Sequence, residues 1–388
     1  MGYFCNEDLF NELVEKGSNG SHARQQFEKK LLYGITQNSE RYSLKLRSYL
    51  PLVDEKLSEI RRENYEGLCI EYLWCKKSML SMWRGLISNI NFIKDWAADG
   101  NEKKIILTYS ANPLHCVPAI LLRRKYGYKI VTITSEISTY RKKFGNGLFF
   151  DFKKKISCFL ENKFDGYILL SKYMNEIINN KNKPYLVMEG FAEITVHSTE
   201  IHALKTKPRV LFYAGGLSEE NGIKILIEGF KISLCDDMEL WLCGEGDLKE
   251  YVIEQAQMDN RIKYWGVLSN KKVKELEYQS CYLINPRFSN EDYTKYSFPS
   301  KTLEYMSTGV PTIITRLKGI PEEYFKYVII LEDESIEGIK LLLEKIKKVP
   351  YKEYCSMGEE AKKFVFENKS PAFQGKRILS FLSDLSGE

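Results

Sequence analysis

Short apolar runs alternate with helically spaced apolar positions through the second half of the chain. The runs Arg209–Ala214, Glu239–Cys243 and Cys281–Ile284 are brief and mainly apolar, as buried strands are. Between the first two runs, apolar residues recur at helical spacing over residues 223–232. Strands and helices that alternate through short loops predict an α/β fold with parallel, doubly wound sheets.

The first half of the chain shows the same alternation. Strands are predicted at its apolar runs, Lys104–Tyr109, Tyr128–Thr134, Asp165–Leu170 and Tyr185–Met188. Asn112–Pro113 is predicted to open a helix that extends to Lys125, because proline is favoured in a first helical turn. The opening stretch, Met1–Cys5, is followed at once by polar sequence, so the first strand is predicted to be short or absent.

The pattern divides the 388 residues into two domains of ordinary size. Residues 1–192 are predicted to form an N-terminal Rossmann-like domain, and residues 209–370 a second one. The polar stretch 193–208 lacks periodicity and is predicted to be a linker. Residues 371–388 are predicted to form a C-terminal helix that packs back towards the first domain.

Glycines follow the predicted strands of the second domain. Gly215 and Gly216 come directly after the first strand, and Gly244 after the next. Val267 follows the third predicted strand, which begins at Ile262. Because the carboxyl ends of parallel strands meet at one edge of a sheet, we expect these loops to converge on one ligand crevice.

The segment Asn285–Pro311 predicts a polar loop and a helix between two strands. Pro299 suits a first helical turn, and Gly309 with Pro311 ends the helix. Backbone N–H groups at such a helix start favour an anion, so we expect a diphosphate site. Glu304 lies one turn into the helix, within reach of a ribose diol.

The same segment resembles the nucleotide-sugar site of retaining glycosyltransferases of family 4. The similarity is strongest over Arg209–Ile314, and the wording of Lys295–Met306 is similar to a bacterial subgroup that builds capsular and exopolysaccharide units. The resemblance implies the GT-B fold, in which two Rossmann-like domains face a central cleft. Glu304 matches the second of two family glutamates, which holds the ribose hydroxyls, and Tyr296 stands in place of the first.

The resemblance also implies a donor site built from these loops and the helix start. Its expected members are Gly215, Gly216, Gly244, Val267, Arg287, Ser297, Phe298, Pro299, Ser300, Lys301, Thr302 and Glu304. The arginine and lysine that neutralise the diphosphate in the family are replaced here by Gly216 and Asn221. A buried diphosphate needs compensating charge, which we expect from Arg287 and above all from Lys301.

Two residues of the first domain are candidates for the catalytic step. The family often has a histidine after the strand that corresponds to Val131–Thr134, and here Glu136 lies after that strand. His115, after the preceding strand, is the second candidate. Each has an ordinary interpretation as well, Glu136 as a helix-capping carboxylate and His115 as a structural side chain.

Composition narrows the function. Hydrophobic residues at 44% and charged residues at 28% are typical of a soluble globular protein. No apolar run is long enough to span a bilayer, and no secretory signal precedes the first charges. Nine scattered cysteines without a Cys-x-x-Cys pair, and four unpaired histidines, favour a reducing cytoplasm and no metal site.

Lysine clusters alternate with aromatic residues over Tyr140–Leu160, although the formal net charge is only +5. This stretch suits an anionic membrane face, and equally a connecting helix with an aromatic stripe towards the core. Nucleic acid is a weaker alternative and is not expected. Because acceptors of the polysaccharide subgroup are polyprenyl-linked, the resemblance favours the inner face of the plasma membrane.

The resemblance predicts a retaining hexosyltransferase that needs no metal and no cofactor beyond its co-substrate, a nucleotide diphosphate sugar. A UDP-sugar would donate to a lipid-linked oligosaccharide in capsule or exopolysaccharide synthesis. Two alternatives stay open, a nucleotide-sugar 2-epimerase of the same fold class and a non-catalytic GT-B partner subunit. The absence of charge at Gly216 and Asn221 favours the non-catalytic partner subunit. The intact segment Phe298–Glu304 argues against that alternative.

Overall fold

A computed structural model describes residues 1–18, 20–40, 42–59, 61–76, 78–100, 103–137, 155–192, 209–290 and 292–387. The chain divides into two compact units, Met1–Phe191 with Pro371–Glu388, and Ala192–Ser370. Ala192 falls in the second unit because its N–H donates to the carbonyl of Lys369 over 2.8 Å. The predicted linker 193–208 lies outside the described residues, as does most of the stretch Tyr140–Leu160.

The N-terminal unit contains two sheets, in the orders β1-β3-β2 and β4-β5-β6-β7. The strands are β1 (Lys45–Pro51), β2 (Arg62–Tyr65), β3 (Leu68–Cys75), β4 (Ile105–Tyr109), β5 (Lys129–Thr134), β6 (Gly166–Leu169) and β7 (Tyr185–Val187). All neighbours are parallel except β2 and β3. The helices are α1 (Glu7–Glu15), α2 (His22–Thr36), α3 (Met79–Ala98), α4 (Pro113–Tyr126) and α5 (Met174–Ile178), followed at the end of the chain by α12 (Pro371–Ser386).

The opening residues of the chain lie between β1 and β4. Gly2 forms a parallel bridge with Ser48 of β1, and the carbonyl of Met1 accepts a hydrogen bond from the N–H of Tyr109 over 3.0 Å. The first strand is therefore reduced to a bridge, because Cys5 and the polar residues after it turn away into α1.

Helix α12 is the last element of the chain and packs in the N-terminal unit. Its Ile378 and Leu382 belong to the same core as Val131 and Ile133 of β5. Contact with α2 is close, because a Cβ at Gly375 would lie 2.0 Å from the carbonyl oxygen of Gly34. Glycine at both positions lets the two backbones approach.

The C-terminal unit is a parallel sheet of six strands in the order β10-β9-β8-β11-β12-β13. The strands are β8 (Arg209–Ala214), β9 (Met238–Cys243), β10 (Ile262–Tyr264), β11 (Tyr282–Asn285), β12 (Thr312–Thr315) and β13 (Ile329–Leu331). The helices are α6 (Ile223–Ile232), α7 (Lys249–Met258), α8 (Asn270–Gln279), α9 (Ser300–Met306), α10 (Ile336–Lys348) and α11 (Tyr351–Lys369). The doubly wound α/β arrangement predicted from the sequence is confirmed.

Chain order reverses between β8 and β11, which are neighbours in the sheet. Strands β9 and β10 extend to one side of β8, whereas β11, β12 and β13 extend to the other. In open parallel sheets such a switch point leaves a crevice beyond the carboxyl ends of the strands, where ligands bind. The loops after β8 and β11 therefore flank the candidate site.

Candidate functional site

The loops after β8, β9 and β10 are joined by backbone hydrogen bonds beyond the ends of their strands. The N–H of Gly215 donates to the carbonyl of Cys243, and the N–H of Gly244 to the carbonyl of Gly266, each over 2.9 Å. Gly244 has φ +136°, and a Cβ there would lie 1.8 Å from the carbonyl oxygen of Gly215. Only glycine permits this approach, so Gly244 lets the loops after β8 and β9 pack against each other.

Lys301 lies in the first turn of α9 and crosses over the loop after β8. A Cβ at Gly215 would lie 2.8 Å from Cε of Lys301, so the glycine makes room for the lysine. The ammonium nitrogen is 5.9 Å from the ring centre of Tyr305 and 4.0 Å from Oε2 of Glu304. Lys301 and Glu304 are 29% and 33% exposed, so both charged ends are accessible to a ligand.

Tyr305 fixes α9 to the end of β8. Its hydroxyl accepts a hydrogen bond from the N–H of Ala214 over 3.0 Å and lies 3.4 Å from the carbonyl oxygen of the same residue. Burial, followed by the nearby carboxyl of Glu277, raises the pKa of Tyr305 well above its ordinary value. The hydroxyl therefore stays protonated, and it positions Glu304 and Lys301 relative to the loop. Sequence reasoning missed Tyr305, although its place on the buried side of α9 next to Glu304 is a usable signal.

Asn221 takes part in shaping the loop after β8. Its side-chain amide donates to the carbonyl of Gly216 over 2.9 Å, and the hydroxyl of Tyr213 donates to the same carbonyl over 2.8 Å. Asn221, which stands in place of the family lysine, thus holds the backbone of Gly216, which stands in place of the family arginine. Neither adds charge to the site, and Gly216 itself is exposed.

Arg287 follows β11, on the other side of the switch point. Its guanidinium lies over the ring of Tyr293, with 4.9 Å between its central carbon and the ring centre. Nε of Arg287 is buried and has no hydrogen-bond partner among the residues described. Its positive charge opposes the rise that burial produces in the pKa of Tyr213, which places it within electrostatic reach of the loop after β8. A buried guanidinium N–H without a partner fits an anionic ligand at this point.

The start of α9 contains both buried and exposed predicted site residues. Phe298 is buried and packs against Tyr324 at 5.4 Å between ring centres, and Thr302 is fully buried. The hydroxyls of Thr302 and Ser297 have no hydrogen-bond partner within the described ranges. Burial of the Phe298 ring and of Thr302 holds the helix start in place. Ser300 is exposed at the first position of the helix, with Pro299 as its N-cap.

Two further positions of the expected site differ in their surroundings. Val267 is 67% exposed after Gly266, in the loop that follows β10. Tyr296, which stands in place of the first family glutamate, is buried, and the ammonium of Lys295 lies 4.8 Å from its ring centre. Across the described part of the chain, no group of three or more His, Cys, Asp or Glu side chains could hold a metal ion.

The two catalytic candidates lie in the N-terminal unit. Glu136 is exposed just beyond the carboxyl end of β5, beside Ser135, whose hydroxyl is 3.1 Å from that of Tyr109. His115 is fully buried in the first turn of α4, with its ring centre 5.5 Å from that of Tyr3. Both of its ring nitrogens are without a hydrogen-bond partner in the described structure. Full burial against Tyr3 favours the structural interpretation of His115.

Burial also makes His115 a source of acid sensitivity. Desolvation, followed by the Met1 ammonium and Arg47, lowers the pKa of His115 from 6.5 to about 3. A depressed pKa means that the stability it provides is complete above pH 6.5 and is lost as the pH falls towards 3. At pH 5 we expect the parent to lose about 2 kcal/mol of unfolding free energy through this group.

Urea unfolding at pH 7 and pH 5 measures this loss. His115→Leu fills the same apolar space without a titrating group, so its unfolding free energy should fall less between the two pH values than that of the parent. Other acid-sensitive groups are common to both proteins and cancel. Parallel losses in parent and variant would contradict the prediction.

Two comparisons with known proteins cover part of the chain. Residues 208–345 match the family model described as Glycosyl transferases group 1. This range includes the loops after β8, β9, β10 and β11 and the whole of α9. A subunit of human phosphatidylinositol N-acetylglucosaminyltransferase is 29% identical over 126 residues, which are 31% of this chain and 25% of that protein. The match thus spans about a quarter of the length of this curated relative.

Solved structures match over both units. A sucrose-phosphate synthase from Thermosynechococcus elongatus has a TM-score of 0.66 at 12% identity and covers 98% of each chain. The Anabaena protein Alr3699/HepE, in complex with UDP and glucose, has a TM-score of 0.63 at 13% identity and covers 99% of each chain. The GT-B fold and the likeness to family 4 are therefore confirmed, whereas the capsular subgroup stays a prediction.

Proposed function

We propose that this chain, a group 1 glycosyltransferase of GT-B type, is a retaining enzyme that moves a sugar from a nucleotide diphosphate sugar to a lipid-linked oligosaccharide. One observation carries the proposal: accessible Lys301 and Glu304 lie together above Gly215 at the switch point of the sheet. A UDP-sugar is the proposed donor, supported by the UDP in the HepE complex.

The proposed donor places its diphosphate under Lys301 and its ribose at Glu304. An ammonium on the loop side of α9 attracts phosphate oxygens, and a carboxylate one turn along accepts hydrogen bonds from a ribose diol. Arg287 has an unpartnered N–H on the other side of the crevice and can bind a further phosphate oxygen. When the nucleotide departs, negative charge grows on its phosphate, and fixed cations there lower the barrier. Because these cations neutralise the diphosphate, the proposed reaction uses no metal ion and no cofactor besides the donor.

The acceptor is proposed to bind the N-terminal unit. Glu136 is exposed at the carboxyl end of β5, where ligands of parallel sheets bind, and it could orient a sugar hydroxyl. Among the described residues, none of the helices has the length and apolarity needed to cross a bilayer. A lipid-linked acceptor in capsule or exopolysaccharide synthesis would place the enzyme peripherally, at the inner face of the plasma membrane. On the basis of the sequence, we propose that the stretch Tyr140–Leu160 contacts this membrane.

Isothermal titration with UDP, GDP, ADP and CMP in EDTA tests the donor site. We expect one nucleoside diphosphate to bind, and Glu304→Gln to weaken its affinity roughly tenfold, because an amide is a poorer acceptor for a diol than a carboxylate. Glu322→Gln is the matched control, since Glu322 is an exposed carboxylate of the same unit, paired with Arg316 over 3.2 Å. Equal affinities for the two variants would contradict the assignment of Glu304.

The non-catalytic partner is the second candidate function, because Gly216 and Asn221 bring no charge to the loop after β8. It predicts that none of the four nucleotides binds in the titration. Incubation of the nucleotide sugar without acceptor addresses the epimerase alternative, which would convert the donor alone. A transferase requires the acceptor for turnover, so the two outcomes are distinguishable by product analysis.

A further inference from the structure

The first turns of α3 expose a set of large apolar side chains. Their exposed fractions are 59% for Met79, 62% for Leu80, 61% for Trp83 and 55% for Ile87. The spacing of these residues places all four on one side of the helix. We call this set the α3 apolar face. It is unusual because large aromatic and aliphatic side chains gather on one exposed surface instead of being scattered.

The α3 apolar face is not needed to hold the helix in the fold. The opposite side of α3 buries Gly85, Asn89 and Ile93. A Cβ at Gly85 would lie 3.0 Å from Sγ of Cys75, and the side-chain amide of Asn89 donates to the carbonyl of Leu114 over 2.7 Å. Because these contacts with β3 and α4 fix the inner side, the outer residues are available for a partner.

Charge around the α3 apolar face is of one sign along the chain. Residues 72–94 contain no aspartate or glutamate, whereas Lys76, Lys77, Arg84 and Lys94 are cationic. Arg84 directly follows Trp83, and Lys94 lies two turns beyond Ile87 on the same side of the helix, and both are exposed. The ammonium of Lys76, before the helix, is paired with a carboxylate oxygen of Glu55 at 3.0 Å. Apolar side chains with a tryptophan and flanking cations are the chemistry of helices that lie in an anionic lipid surface.

The location of the α3 apolar face agrees with such a partner. Helix α3 follows the carboxyl end of β3, so its first turns lie at the edge of the sheet where loops bind ligands. We propose that the α3 apolar face docks this protein on a bilayer that contains anionic phospholipids. This inference rests on the proposed function, because a lipid-linked acceptor must be met at a membrane. The four residues of the α3 apolar face all belong to the described part of the chain.

Flotation with vesicles tests the proposal on the full chain. Vesicles of phosphatidylcholine with about 30 mol% phosphatidylglycerol have an anionic surface, and they should bind the parent protein. Vesicles of pure phosphatidylcholine should bind it less. The double variant Trp83→Ser with Ile87→Ser should reduce vesicle binding roughly tenfold, since it removes two inserted side chains. Arg84→Gln should lower binding only to the anionic vesicles.

Leu234→Ser is the matched control, because Leu234 is an apolar side chain of the C-terminal unit that is 72% exposed. It should float like the parent. Equal flotation of the double variant and the parent, or no flotation of the parent, would overturn the proposal. Sedimentation velocity of the same proteins in buffer tests whether a second copy of the chain is the partner. If the parent forms a dimer that the double variant does not form, and the parent does not bind vesicles, the membrane-docking proposal is also overturned.

Nucleotide titration of the double variant separates this proposal from the proposed function. The double variant should bind the nucleoside diphosphate with the affinity of the parent, because the α3 apolar face and the donor loops belong to different units. Vesicle binding without any nucleotide binding would remove the proposed function and leave a membrane-docking surface. Nucleotide binding without vesicle binding would remove the docking surface alone.

Discussion

Lys301→Met is expected to weaken nucleoside diphosphate binding roughly 10- to 100-fold, because a charge-assisted contact with phosphate is lost. Methionine keeps the unbranched stem that lies over Gly215 and the ring of Tyr305, so the shape of the loop is preserved and only the ammonium is removed. We expect a large effect because Gly216 and Asn221 bring no charge to the loop after β8, which under the proposed function leaves Lys301 to compensate the diphosphate. Isothermal titration of both proteins with the nucleotide that binds the parent measures the change.

Lys249→Met is the matched control for Lys301→Met. Lys249 is a lysine of the same unit in an exposed pair with Glu245, at 3.0 Å, and its loss should leave nucleotide affinity unchanged. Lys301→Arg should restore part of the affinity, since it returns the charge in a bulkier planar form. If Lys301→Met and Lys249→Met bind the nucleotide equally well, Lys301 does not contact the diphosphate.

Gly244→Ala is expected to destabilise the C-terminal unit by about 4 kcal/mol, from a backbone overlap and an unfavourable φ together. The added Cβ would lie 1.8 Å from the carbonyl oxygen of Gly215, and that atom belongs to backbone that cannot rotate away. The loops after β8 and β9 must then separate, which moves Gly215 from beneath Lys301. We expect nucleotide binding to be lost and the thermal midpoint to fall by roughly 10 °C.

Gly266→Ala separates the effect of a positive φ angle from the effect of the backbone overlap at Gly244. Gly266 also has positive φ, at +71°, but a Cβ there would meet no atom within 4 Å. Its substitution should cost only about 1 kcal/mol, the strain of a left-handed alanine. Thermal unfolding of the two variants gives the comparison, and similar midpoints would show that the close approach at Gly244 does not hold the site together.

Local chemistry in the sequence determined the elements of the C-terminal unit. The apolar run at β8 and the helical spacing of α6 are signals within one segment. The structure agrees with them because burial of those side chains stabilises the same strand and helix in the fold. The same holds for Pro299 and Gly309, which act on their own backbone. The position of Glu304 in α9 follows from these local signals and the family resemblance, so it too was readable from the sequence.

The tertiary structure decided which distant side chains meet. That Lys301 crosses Gly215, or that the Tyr305 hydroxyl binds the backbone of Ala214, depends on strands β8 and β11 being neighbours, and no local pattern encodes this pairing. The burial of His115 depends likewise on Tyr3, far away in the chain. Exposure of the α3 apolar face appears only once its other side is packed, because periodicity identifies a helix face but cannot say which face finds a partner.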